Sequence, residues 1–135
     1  MSGIQWYPGR RQLLDRDIQE ALEQAAEAVK TDLVMSQTVP YAEDSEENRD
    51  RGVVPGELQS SIYADCERSA QGIVSIVANT PYARRLYYHP EYNYYLGANP
   101  HAGGLWFRAY MRGGRKAGFA RKAFADRLRA IRSTR

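Results

Sequence analysis

Apolar residues recur at three- and four-residue spacing from residue 12 to residue 36. Leu14, Ile18, Ala21, Leu22, Ala25, Val29 and Leu33 share one face, a period that predicts an amphipathic helix. Asp15, Arg16, Gln19, Glu20, Glu23, Glu27 and Lys30 fill the other side. Pro8 and Gly9 precede this segment and Pro40 follows it, as start and stop signals should. At the helical rise per residue it runs ~37 Å, enough to span a small domain.

The period then changes. Residues 41–52 are polar and carry seven charges, so a flexible acidic loop is expected over 41–55, with almost nothing to bury. Leu58, Ser60, Ile62 and Ala64 alternate along a first predicted strand, Leu58 to Cys66. A second predicted strand runs from Gly72 to Asn79 and contains the β-branched run Ile73-Val74-Ser75-Ile76-Val77. Residues 67–71 have the length of a hairpin loop. Pro81, Pro90, Gly97, Pro100, Gly103 and Gly104 make 80–104 loop-rich. After Gly113 and Gly114, Phe119, Ala123, Leu128 and Ile131 form the stripe of a second predicted helix, about 115–132, with Phe124 beside it. The pattern predicts one α+β domain over 1–135: a small antiparallel β-sheet packed against a long N-terminal helix, with a basic C-terminal helix.

Charge sharpens this picture. Residues 1–107 hold 9 Lys/Arg and 15 Asp/Glu, whereas residues 108–135 hold 10 Lys/Arg and 1 Asp/Glu. A basic segment on an acidic body points to an acidic protein partner or to nucleic acid. Arg115, Lys116, Arg121 and Lys122 form the expected basic surface. Tyrosine is unusually abundant, ten in all and seven of them between Tyr63 and Tyr95. Its apolar ring and polar tip suit surfaces that meet other surfaces.

Candidate chemistry is sparse. The single cysteine, Cys66, excludes an internal disulfide and any site built on several thiolates, and is read as a small residue in or near a strand. His89 and His101 flank prolines without a zinc-motif spacing and are read as exposed loop residues. Asp44, Glu46 and Asp50 do not follow an EF-hand loop. Neither a phosphate-binding glycine loop nor a nucleophile elbow is present. A hydrolase built on His89 or His101 is the weakest reading. No cofactor or metal is expected. No apolar run reaches the ~20 residues of a membrane span, and Met1 to Arg11 lacks a signal-peptide core, so no membrane association is expected and the cytoplasm is the expected site of synthesis.

The stretch Gly56-Glu57-Leu58-Gln59-Ser60-Ser61-Ile62, followed by Val77-Ala78-Asn79-Thr80-Pro81-Tyr82-Ala83-Arg84, resembles the minor capsid proteins of tailed bacteriophages, which are related to head–tail joining and tail-completion subunits. Tyr87-Tyr88-His89-Pro90-Glu91-Tyr92-Asn93 and residues 99–107 continue the likeness, which covers about 53–125. The chain departs from the family in its longer connection at 41–52.

The resemblance implies a non-enzymatic virion protein, assembled in the host bacterial cytoplasm and located at the head–tail junction. It implies a monomer when free and a sixfold ring in the virion neck. The ring's neighbours would be connector or stopper and tail-tube proteins, with DNA passing through the lumen. The expected subunit and partner interface comprises Tyr82, Arg84, Arg85, Tyr87, Tyr88, Tyr92 and Trp106. The alternative is a sequence-independent nucleic-acid-binding module that uses the basic C-terminal helix.

Overall fold

A computed structural model of the chain describes residues 2–6 and 15–134. The long helix, α1, spans Arg16–Met35. It starts later than the periodicity predicts because Asp15 leaves the helical conformation and caps it. The Asp15 side chain accepts the Ile18 N–H at 2.9 Å, satisfying a donor that has no partner within the helix. Residues 12–14 of the expected helix lie outside the described residues. At the other end Ser36 Oγ donates to the Leu33 carbonyl, and Gln37 takes a left-handed conformation with φ 58°. Ala21, Leu22, Ala25, Ala26, Val29 and Leu33 are buried, the stripe read from the sequence.

The sheet has three antiparallel strands, β1 (Ser2–Trp6), β2 (Ile62–Asp65) and β3 (Val74–Ala78), in the order β1-β3-β2. The predicted hairpin is present as β2–β3, with Ile62 opposite Ala78 and Asp65 opposite Ser75. Strand β1, absent from the sequence reading, pairs with the free edge of β3. As the central strand, β3 buries all five of its residues. Val74, Ile76 and Ala78 share a core with Leu22, Val29 and Leu33 of α1.

Two expectations change between α1 and β2. Leu58 to Ser60 is not strand: α2 covers Glu46–Asp50 and α3 covers Glu57–Ser60. Leu58 and Ile62 are four residues apart, a spacing that shares a face in a strand and in a helix alike, so the short window fits both periods. Gly56, left-handed at φ 76°, favours the helical turn. The acidic segment is likewise not a bare loop. Ser45 caps α2 by accepting the Asn48 N–H, and Arg49–Asp44 and Arg51–Glu47 pair at 3.1 and 2.7 Å. Tyr41, Ala42 and Asn48 are half-buried.

The loop-rich region contains α4 (Ala83–Tyr87), and the basic helix, α5, spans Phe119–Ser133 rather than 115–132. Residues 115–118 form a turn in which the Lys116 N–H donates to the Ala109 carbonyl at 2.7 Å. Helix α5 lies antiparallel along α1: Lys116 meets Asp32 near one end, and Arg132 meets Asp15 at the other. Its apolar stripe is only half-buried. Among the described residues no helix is long and apolar enough to cross a membrane.

The segment after α4 folds back beneath it. The Leu105 N–H donates to the Tyr87 carbonyl at 2.9 Å, with Leu105 itself at φ 54°. This brings the Trp106 and Phe107 rings against Tyr87, at centroid distances of 4.9 and 5.5 Å. The approach requires Gly104, where a Cβ would lie 2.9 Å from the Tyr87 carbonyl and 3.0 Å from that of Leu86. Neighbouring Gly103 has open space around it. Gly104→Ala should therefore cost about 1–3 kcal/mol through overpacking, while Gly103→Ala should change stability little. Urea unfolding of the two variants measures the contrast.

Candidate functional site

The aromatic segment after β3 divides between core and surface. Tyr87 and Trp106 are buried, 7% and 4% exposed, so the expected interface role of these two gives way to packing. Tyr88 makes an edge-on contact with Tyr87 yet is 59% exposed. Tyr92, Tyr95 and Leu96 are also exposed, as is Val54 across the neighbouring cleft. Arg84 and Arg85 are exposed on α4, and Tyr82 is half-buried before it.

The cleft, about 450 Å3, lies between residues 40–58 on one side and α4 with residues 93–95 on the other. Tyr41, Tyr82, Tyr94 and Tyr95 give it aromatic walls, and Arg51, Arg85 and Glu57 supply charge. Two hydrogen bonds fix its shape. Tyr94 Oη is shared between the carbonyls of Leu86 at 2.6 Å and His89 at 2.8 Å, tying down carbonyls at the end of α4. Tyr82 Oη donates to Glu57 Oε2 at 3.1 Å. Burial and then the Glu57 carboxylate push the Tyr82 hydroxyl up to about 12. Nearby, His89 Nδ1 lies 3.1 Å from Glu91 and its ring stacks on Tyr92. Asn99, nearly inaccessible, donates to the Val39 carbonyl at 2.8 Å and to Gln59 at 2.9 Å, joining three segments behind the cleft.

The expected basic surface is not one patch. Arg115 and Arg121 are exposed. Lys116 is half-buried and paired with Asp32 at 2.7 Å, whereas Lys122 is exposed and paired with Asp126 at 2.9 Å. Asp32 also accepts from Tyr110 Oη. Burial opposes the Asp32 charge, but the Lys116 ammonium and the Tyr110 hydroxyl outweigh it, leaving the carboxyl below its ordinary value. Burial, then the Asp32 carboxylate, pushes the Tyr110 hydroxyl far upward.

Cys66 sits just beyond β2, half-buried. Burial and the charges of Glu23, Glu27 and Asp65 push its thiol up to about 11, so it is protonated at neutral pH and a weak nucleophile. Among the described residues no group of three or more His, Cys, Asp and Glu side chains is arranged to hold a metal ion. Sequence reasoning missed Val54, Tyr95 and Leu96 as exposed apolar groups, and Asp32 as the partner of Lys116. Only the folded contacts distinguish Asp32 from its acidic neighbours on α1.

Compared with family models, curated proteins and solved structures, the chain matches none at a significant level.

Two measurements check these electrostatics. A carboxyl whose folded value lies below 3.8 adds stability above that pH and loses it as pH falls through the folded value. Asp32→Asn should therefore lower stability by about 1–3 kcal/mol at neutral pH and flatten its acid dependence, read from urea midpoints across the acid range. Glu57→Gln should bring the Tyr82 hydroxyl from about 12 back toward 10, read from the tyrosinate absorbance.

Proposed function

We propose that the chain is a non-enzymatic structural subunit of a tailed bacteriophage, forming a neck ring that joins the DNA-filled head to the tail tube. The reading rests on the resemblance carried by residues 56–62, which run from α3 into β2, and 77–84, which run from β3 into α4. The observation that carries it physically is the exposure of Tyr88, Tyr92, Tyr95 and Leu96 within ten residues of chain, Tyr95 lining the cleft together with exposed Val54. Aromatic side chains concentrated on one surface suit burial against another protein, because they cover area at modest entropic cost. A ring uses two different patches of each subunit, related by a rotation that closes. The exposed segment is one patch, and connector or stopper and tail-tube proteins are the neighbours above and below. The free subunit is monomeric and closes into a sixfold ring on its docking surface, inside the host bacterial cytoplasm where the virion is built.

A second reading is sequence-independent nucleic-acid binding through α5, favoured by the exposure of Arg121, Arg127 and Arg129 along it. The ring and DNA readings meet if α5 faces the lumen, although a strongly cationic lumen would slow passing DNA. Binding through phosphates would weaken steeply with salt.

Electron microscopy of particles assembled without this chain should show filled heads beside detached tails, and normal infectious particles would refute the proposal. Tyr88→Ser combined with Leu96→Ser should leave the subunit folded, because both side chains are exposed, yet reduce the fraction of joined particles.

A further inference from the structure

An open groove of about 920 Å3 runs along α1 from Glu20 to Met35. Glu20, Glu23 and Glu27 line it three and four residues apart, so their carboxylates form one row. None is tightly paired with a cation. Glu20 accepts from the Gln24 amide at 3.3 Å, Glu23 accepts from the Ser69 hydroxyl, and Glu27 lies 4.0 Å from Lys30. Asp32 also lines the groove but is held by Lys116 and Tyr110. Arg127 of α5 enters the lining without an ion pair among the described residues, so the row keeps an excess of negative charge. Met35 marks the far end of the groove, and at 76% it is the most exposed large apolar side chain among the described residues.

Helix α5 presents the opposite charge. It carries five cations against one carboxylate, Asp126. Arg121, Lys122, Ala125 and Arg129 share a face at three- and four-residue spacing, and all four are exposed. Lys122 and Arg129 bracket Asp126 at 2.9 and 3.4 Å, and Arg121 has no ion pair among the described residues. The acidic and cationic rows match in length. Glu20 to Glu27 and Lys122 to Arg129 each span seven residues, ~10 Å of helix. Ala125, small and central in the cationic row, lets another helix approach closely. Half-buried Phe124 and Leu128 border the row with apolar surface that α1 of the same chain leaves partly uncovered. A second α5 would meet this face with like charge, whereas α1 of another copy meets it with the opposite charge.

We propose that the α1 groove receives the cationic face of α5 from a second copy of the chain, with Glu20, Glu23 and Glu27 opposite Arg121, Lys122 and Arg129. Groove and helix face are different patches, so the contact is heterologous and an associated pair still offers one of each. Complementary charge sets the register between the two helices. The inference rests on the ring reading for the identity of the occupant, and it gives the outer face of α5 to a neighbouring subunit and not to DNA.

The test uses the full chain at millimolar concentration, where weak contacts between free subunits are populated. The receiving copy is labelled with nitrogen-15 and carries Arg121→Glu and Arg129→Glu, so only its groove is competent. The donating copy is unlabelled and carries Glu20→Gln and Glu27→Gln, so only its α5 face is competent. All four positions are exposed, and circular dichroism checks that both variants fold. Adding the donor should shift the receiver's amide resonances over residues 20–35, and salt should weaken the effect. A donor that also carries Arg121→Glu and Arg129→Glu should bind at least about tenfold more weakly. Unmoved resonances over 20–35 overturn the proposal, as does equal binding by the reversed donor. An unrelated basic helical peptide that binds as tightly as the donor also overturns it, because charge alone and not a second copy then fills the groove. The outcomes are separable from those of the ring reading. Infectious particles assembled without the chain would sink the ring while the contact stands, and unmoved resonances together with detached tails would sink the contact while the ring stands.

Discussion

The apolar stripe of α1 is the constraint on which the rest of the fold depends. Leu22, Val29 and Leu33 meet β3 on one side, and α5 runs antiparallel along the same helix. No strand of this short sheet carries enough apolar surface to stand alone, and α5 buries none of its residues fully. Both must borrow the face of α1 to leave water, which is how a helix and a small sheet make one core. At the Arg132 end, the pair with Asp15 at 3.5 Å is solvent-facing and adds little, while Asp17, 3.9 Å from Arg132, is more shielded. The tie at the other end, Asp32 with Tyr110 and Lys116, is partly shielded and fixes where the last helix begins.

Much of this was legible in the order of residues. The helical stripe of α1 and the basic last helix follow from the period of apolar positions, because each is long enough for its period to be unambiguous, and β3 follows from its β-branched run. The helical turn at Leu58 was not legible, since four residues satisfy two periods at once. Nor was the pairing of residues 2–6 with β3, which depends on a partner far along the chain and not on any local signal. The start of α1 was readable in principle: an aspartate three residues before Ile18 is a capping arrangement, hidden because Leu14 continues the apolar spacing across it.

The tyrosine-rich region shows the same limit at the level of the site. Composition announced a surface for contact, but it could not separate Tyr87, locked edge-on against Trp106, from adjacent Tyr88, which faces solvent. Neighbours in sequence on a short helix point in different directions, and only the Gly104 approach decides which ring is covered. The same fold-back buries Trp106 against Tyr87 and Phe107, so one close backbone approach sets the packing of three rings.

The strand order has a kinetic implication. β3 receives β2 from close by, across a tight connection, but its other edge is completed only when residue 2 comes opposite residue 78. Closing so long a loop is entropically slower than closing a hairpin. A newly made chain therefore passes through a stage in which its most apolar strand has one bare edge, open to a strand from another molecule. Crowded synthesis of many identical copies favours such mispairing, and dilution or rapid docking of residues 2–6 suppresses it.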